Sequence, residues 1–259
     1  MRVWMPLPDR EFDPTESSVP WRALTRAGHE VVFATEEGGK AARCDPRMLA
    51  GALFGKMGAA PDAQAAYAEM EQAAAFRAPV SFRSLDVSTF DGLLLPGGHA
   101  PGMRPYLESE ALRAQVRSFW ELERPVAAIC HGVLVLARTR DRAGKSVLSA
   151  RRTTCLTKYM ELAAYYTTFW KLGRYYRTYE ATVEDEVKAA LTNPAAQFER
   201  GPFILSDPST LREGDKRAFV VQDGRYLSAR WPGDAYVFAR AFLGLLEGRA
   251  AAGAALGAR

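Results

Sequence analysis

The 259-residue sequence is poor in thiols and imidazoles, with three cysteines and three histidines. The cysteines stand far apart at 44, 130 and 155, and no Cys-x-x-Cys pair occurs. That argues against a zinc cage or a disulfide framework and fits a reducing, cytoplasmic setting. No stretch reaches the ~18 uninterrupted apolar residues of a membrane span, so no membrane partner is expected. The opening MRVWMPLPDREFD has no basic segment followed by a long apolar core, so no secretion signal is expected. Basic residues nowhere run to five in a row, and RRTT (151–154) is their densest spot. A net charge of +4 spread this way reads as solubility rather than a phosphate-tracking groove, so no nucleic-acid partner is expected. No internal repeat is present.

What remains is a globular composition, 25% charged, with strands and helices in alternation. RVWMPLP (2–8) reads as a strand, DPTESSVPWRALTRAG (13–28) as a helix capped by Asp13 or Thr15 and ended by Gly28, and HEVVFATEEG (29–38) as a buried strand. Residues 46–80 break the alternation with two helical stretches around a Gly/Pro joint, which reads as an insertion or cap. FDGLLLPGGHAPGM (90–103) is a buried strand ending in glycines, LESEALRAQVRSFWELE (107–123) an amphipathic helix, and PVAAIC (125–130) an apolar strand that HGVLVLARTR leaves as a helix. KSVLSARRTT (145–154) is expected to hold a strand. TVEDEVKAAL (182–191) is expected as a helix, RAFVVQDGRYLSARW (217–231) as a hairpin turning at Asp223-Gly224, and GDAYVFARAFLGLLEG (233–248) as a closing helix. This order implies a mostly parallel sheet covered on both faces, with ligands beyond the carboxyl ends of its strands.

Two of those ends, LLLPGGH and AAICHG, carry the least ordinary residues. A strand–Cys–helix junction has the form of a nucleophile elbow. Gly132 suits its tight turn, the following helix N-terminus favours a thiolate, and the next backbone N–H can donate to an oxyanion. The plain alternative for Cys130 is a small buried hydrophobe ending a core strand. His131 can serve as base, acid or counter-charge, or simply face solvent at a helix start. The PGGHAPG loop lacks the order of a dinucleotide or P-loop fingerprint; its glycines suit either a close approach to a substrate oxygen or a surface turn.

Together LLLPGGHAPG, AAICHG, the early ESSVP from Glu16 and the late SARWPGDAYVFARAFLGLL (228–246) resemble the ThiJ/PfpI superfamily of class I glutamine amidotransferase-like fold. The resemblance implies an α/β, doubly wound, mostly parallel, flavodoxin-like sheet with a small helical cap. It implies one domain over 1–248 with a helical insertion at about 46–80, and a flexible tail over 249–259. Carried over, Cys130 is the nucleophile and Glu16 the acid that faces it, with a pKa raised by burial. Gly97, Gly98 and His131 become the oxyanion and substrate-binding groups. The CHG triplet and the insertion look like the heat-shock-protein branch that includes glutathione-independent glyoxalases. That branch completes a Cys-His-acid triad after a GKS-type turn, which places Glu161 in the acid's role beside His131. The residues before it, KYM, depart from the branch pattern, and the aromatic stretch ELAAYYTTFWKLGRYYRTY has no counterpart in it. That stretch is open to a pocket, lid, core or interface role. Cys155 reads as a passive buried thiol.

The resemblance implies a cysteine-dependent enzyme on small reactive carbonyls, converting methylglyoxal to lactate without metal or organic cofactor. Alternatives it leaves open are a hydrolase or amidotransferase-like activity (peptidase or deglycase) and a non-catalytic redox-sensing chaperone. A homodimer is expected by the same analogy.

Overall fold

The computed structural model describes residues 1–207 and 214–248; the expected tail at 249–259 lies outside the described residues. Among the described residues, nine strands form two sheets. They are β1 Arg2–Pro6, β2 Arg10–Phe12, β3 Glu30–Thr35, β4 Arg43–Cys44, β5 Val80–Ser81, β6 Gly92–Leu95, β7 Val126–Ile129, β8 Val220–Asp223 and β9 Tyr226–Ala229. The main sheet has seven strands in the order β5-β3-β1-β6-β7-β9-β8 and is parallel except for the β8–β9 hairpin. The short β2 and β4 pair separately beside it.

Strands β6, β7 and β9 are buried at every position, as apolar runs covered on both faces should be. On one side the helix Pro14–Arg26 packs against Pro61–Gln72 and Ala235–Leu246; on the other, Gly132–Arg138 packs against Glu110–Trp120 and Val183–Ala189. Chain order runs outward from β1 to β3 and β5 on one side and from β6 to β7 and β9 on the other. The direction therefore reverses between β1 and β6, where such sheets open a crevice at their carboxyl ends.

The α/β doubly wound architecture is as expected, and most elements fall within a few residues of their predicted places. Asp13 is the first helix's cap, its Oδ1 accepting from Thr15 N at 2.8 Å and Glu16 N at 3.0 Å. Residues 46–80 are less separate than an insertion: the helix Pro61–Gln72 joins a main layer and β5 becomes the edge strand. Only Pro46–Ala50 and the turn after it reach toward the strand ends. KSVLSARRTT holds no strand. Ser146 Oγ instead accepts from Leu148 N at 3.2 Å to set a turn. Thr153 Oγ1 bonds Tyr226 Oη and Thr154 N–H donates to Ser228 Oγ, contacts with side chains of β9 rather than a ladder. The aromatic stretch begins as a helix, Lys158–Leu172.

After β9, Arg230 and Asp234 form a fully buried pair, with Nε to Oδ2 and the terminal nitrogen to Oδ1 each 2.9 Å. Asp234 also accepts from Phe219 N and Arg230 N, so both charges are saturated. The pair pins the turn that carries Trp231 to the strand ends.

Candidate active site

Cys130 sits at φ 57°, a left-handed conformation rare for a residue with a Cβ. Its N–H is tied to Ala229 O at 3.0 Å, which fixes the elbow to β9. Gly132 must be glycine here: a Cβ would collide with the carbonyl oxygens of Leu95 and Pro96. Three strand ends converge on the sulfur. β7 delivers Cys130, β6 delivers the Pro96–Gly98 loop, and β1 leads through residues 7–13 to the helix carrying Glu16.

Glu16 is fully buried, and its Oε2 accepts from Gly97 N at 3.0 Å. A Cβ on Gly97 would lie 2.7 Å from that oxygen and 2.8 Å from both His131 N and Ile129 O, so the close approach requires glycine. Gly97 thus serves by admitting Glu16, and its N–H is already taken up. Gly98 lies over Asp13 N at φ 148°. Oε1 of Glu16 has no hydrogen-bond partner, and the Glu16 and Cys130 side chains lie close enough that each shifts the other's titration. Burial, then the neighbouring Asp13, raises the Glu16 pKa well above the usual carboxyl range. Burial also raises that of Asp13, to about 7.

His131 places Nδ1 3.5 Å from Cys130 Sγ. Its Nε2 is 3.1 Å from Thr178 Oγ1, and that hydroxyl donates to His99 O at 2.5 Å. A hydroxyl has one hydrogen. With that hydrogen on His99 O, Thr178 can only accept from His131, so Nε2 carries the imidazole proton and the Nδ1 lone pair faces sulfur. Burial holds His131 well below its usual pKa, neutral at pH 7. Burial, then Glu16 and Asp13, pushes the Cys130 thiol well above its usual value. The resting pair is therefore a neutral thiol beside a neutral imidazole, not the thiolate the elbow form suggested. The seven-residue helix behind it does not outweigh the desolvation.

Glu161 does not complete a triad. Its Oε2 accepts from Val183 N at 2.9 Å, and its Oε1 lies 3.7 Å from Arg177 Nε. The ring nitrogen a triad acid would hold belongs to Thr178. Glu161 still lines the same cavity, and burial raises its pKa to about 7. Cys155 is fully buried among apolar side chains, a passive thiol in its surroundings.

The cavity over Cys130 has a volume of about 470 Å³. Asp13, Glu16, His99 and Cys130 supply polar groups to it, and Tyr176 stacks on the His99 ring at 4.1 Å between centroids. Sequence reasoning did not find Thr178, His99 or Tyr176 as site residues. Thr178 and Tyr176 lie in the aromatic stretch, where no spacing marks them. Among the described residues, no group of three or more His, Cys, Asp or Glu side chains could hold a metal ion, and no helix is long and apolar enough to cross a membrane.

A cysteine elbow at the carboxyl end of a strand in a doubly wound sheet, one strand from the switch point and beside a buried glutamate, defines a class of cysteine-centred α/β proteins. A family model described as ThiJ/PfpI family-like matches residues 7–202, and the chain belongs to that family. A deglycase of Pyrococcus abyssi is 26% identical over 237 residues, covering 92% of this chain and 95% of that protein. An uncharacterized protein of Schizosaccharomyces pombe is 30% identical over 173 residues, 64% of this chain and 62% of its own length, so that match spans less than two thirds of the relative. Among solved structures, glyoxalase III from Candida albicans superposes with a TM-score of 0.67 at 18% identity, covering 95% of this chain and 97% of that one.

Proposed function

We propose that this protein is a cysteine-dependent enzyme of small reactive carbonyls that converts an α-oxoaldehyde such as methylglyoxal to the 2-hydroxy acid. One observation carries the reading: the Cys130 sulfur lines an open cavity with a lone-pair nitrogen of His131 3.5 Å away and a buried, proton-bearing Glu16 against it. That arrangement suits addition of a thiol to an aldehyde. The thiol proton passes to His131 Nδ1 as sulfur bonds the aldehyde carbon, and the aldehyde oxygen takes the Glu16 proton. The Glu16 carboxylate, which lines the cavity where His131 does not, then removes the hydrogen from that carbon. A proton shift between the two oxygens and return of the Glu16 proton to the neighbouring carbon give the 2-hydroxy thioester. Water adds its hydroxyl to the thioester carbon and its proton returns to the Glu16 carboxylate, while the departing sulfur recovers its proton from His131.

The test is lactate formation from methylglyoxal without glutathione. Wild type is expected to turn over and Cys130→Ala to lose at least a thousandfold. No lactate from wild type, or undiminished activity in Cys130→Ala, overturns the reading. A second reading, removal of sugar-derived adducts from amines or thiols, is favoured by the name of the Pyrococcus relative. It shares the thiol-addition step and predicts release of free amine from a glycated peptide at a rate rivalling lactate formation.

A further inference from the structure

The cavity is larger and more apolar than a three-carbon dicarbonyl requires. Its volume of about 470 Å³ lies among pockets, ~300–1,000 Å³, that enclose much larger molecules. Beside the polar groups around Cys130 stands a wall of Met48, Leu53, Met57, Leu156, Met160 and Leu205, drawn from three separate stretches of chain. Methionine is unbranched and polarizable, so such a wall adapts to flexible chains rather than to one rigid shape. The apolar surface continues outward: Leu205 is 62% exposed and Phe54, beside Leu53, is 84% exposed. Three charged residues also line the cavity, but Lys56 is solvent-exposed, Asp207 Oδ1 accepts from Met57 N at 2.9 Å, and Glu161 is engaged by Val183 N–H and Arg177. Two buried polar atoms without partners, His99 Nε2 and Trp231 Nε1, also belong to lining residues, the kind of group that fixes a polar head within an apolar site.

We infer that the site selects α-oxoaldehydes bearing a long apolar chain, with the dicarbonyl head at Cys130 and the tail along the methionine–leucine wall. This rests on the carbonyl reading above and names the substrate class within it.

The experiment compares a series of alkylglyoxals from methyl to octyl, with acid product measured directly. In parallel, alkyl bromomethyl ketones of matching lengths alkylate Cys130: sulfur displaces bromide, forming a C–S bond, and the thiol proton passes to His131. The expected kcat/KM climbs about threefold to fourfold per added methylene until the tail leaves the cavity, and alkylation rates climb in parallel. Leu205→Glu, a change at an exposed rim position, is expected to lower octylglyoxal turnover about tenfold relative to methylglyoxal. Turnover of methylglyoxal with flat or falling dependence on chain length, matched by flat alkylation, overturns the inference while the reaction stands. Alkylation that climbs with chain length while no glyoxal is turned over keeps the apolar subsite and defeats the reaction instead.

Discussion

Replacing Thr178 with valine tests the proton arrangement at the site most directly. The threonine hydroxyl fixes which nitrogen of His131 carries hydrogen, donating to His99 O at 2.5 Å and accepting from His131 Nε2 at 3.1 Å. Valine keeps the shape and removes both contacts. A net hydrogen bond is worth about 0.5–1.5 kcal/mol, so the tautomer with Nδ1 free loses up to about tenfold in relative population. Misorientation of the ring adds to this, and kcat/KM is expected to fall about tenfold to a hundredfold. Two buried groups left unpaired cost about 1–3 kcal/mol each, so the melting temperature falls as well. A purely structural residue would also lower the melting temperature. The discriminating measurement is therefore the iodoacetamide alkylation rate of Cys130 per folded molecule, which reads proton removal by His131 without any substrate. Thr178→Val should slow it by the same factor as turnover, and Thr178→Ser, which restores the hydroxyl, should recover most of both. A folded valine variant alkylated at the wild-type rate, or a serine variant as impaired as valine, refutes the reasoning.

Gly97→Ala forces a methyl group to within 2.7 Å of Glu16 Oε2 and 2.8 Å of two backbone atoms. Overpacking of this kind costs about 1–3 kcal/mol in a denaturant titration, and displacement of Glu16 should reduce turnover at least tenfold. Stability should also depend on pH in an uncommon direction. Buried Asp13 and Glu161 have pKa values raised to about 7, and Asp45 to about 6. The folded state therefore holds protons that the unfolded chain has already released between about pH 4 and 7. Stability falls as pH rises through that window, and melting curves should show Glu161→Gln flattening the fall by up to about 3 kcal/mol.

The sheet and the elbow were legible because their signals are local. Buried parallel strands are apolar throughout, as GLLL and VAAI are, and turns announce themselves with glycine, as at Gly132 and Gly224. Glu16 was legible only through the family pattern, since a glutamate in a first helical turn is otherwise ordinary. KSVLSARRTT misled because alternation is also what a chain of turns shows when it bonds sideways into the sheet, as the Thr153 hydroxyl does to Tyr226 and the Thr154 N–H does to the Ser228 hydroxyl. The partner of His131 was illegible for a different reason. Thr178 lies 47 residues from it, and nothing in a lone threonine marks it as the end of a hydrogen-bond chain. Glu161 was placed beside His131 by the family resemblance, but its carboxyl group is held by Val183 N–H and faces Arg177.

The protonation state of Cys130 separates the enzyme from the redox sensor. Peroxide oxidation requires a thiolate already formed, because the peroxide supplies no base of its own. An ordinary thiol, with a pKa of about 8.5, is a few per cent thiolate at pH 7. Burial and the adjacent acids push Cys130 above that. Each unit of rise costs tenfold in thiolate fraction and returns only about threefold in nucleophilicity, since reactivity grows with roughly the 0.4–0.5 power of basicity. The fraction wins, so Cys130 should form sulfinate more slowly than free cysteine at pH 7 and gain speed steeply above pH 8. Addition to a bound aldehyde escapes this limit, because His131 accepts the proton as the C–S bond forms and no standing thiolate is needed. The check is the mass of Cys130 over time in dilute peroxide, with free cysteine in the same tube as competitor. Oxidation of Cys130 ahead of the competitor at pH 7 would mean that the sulfur rests as a thiolate, and the sensor reading would displace the enzymatic one.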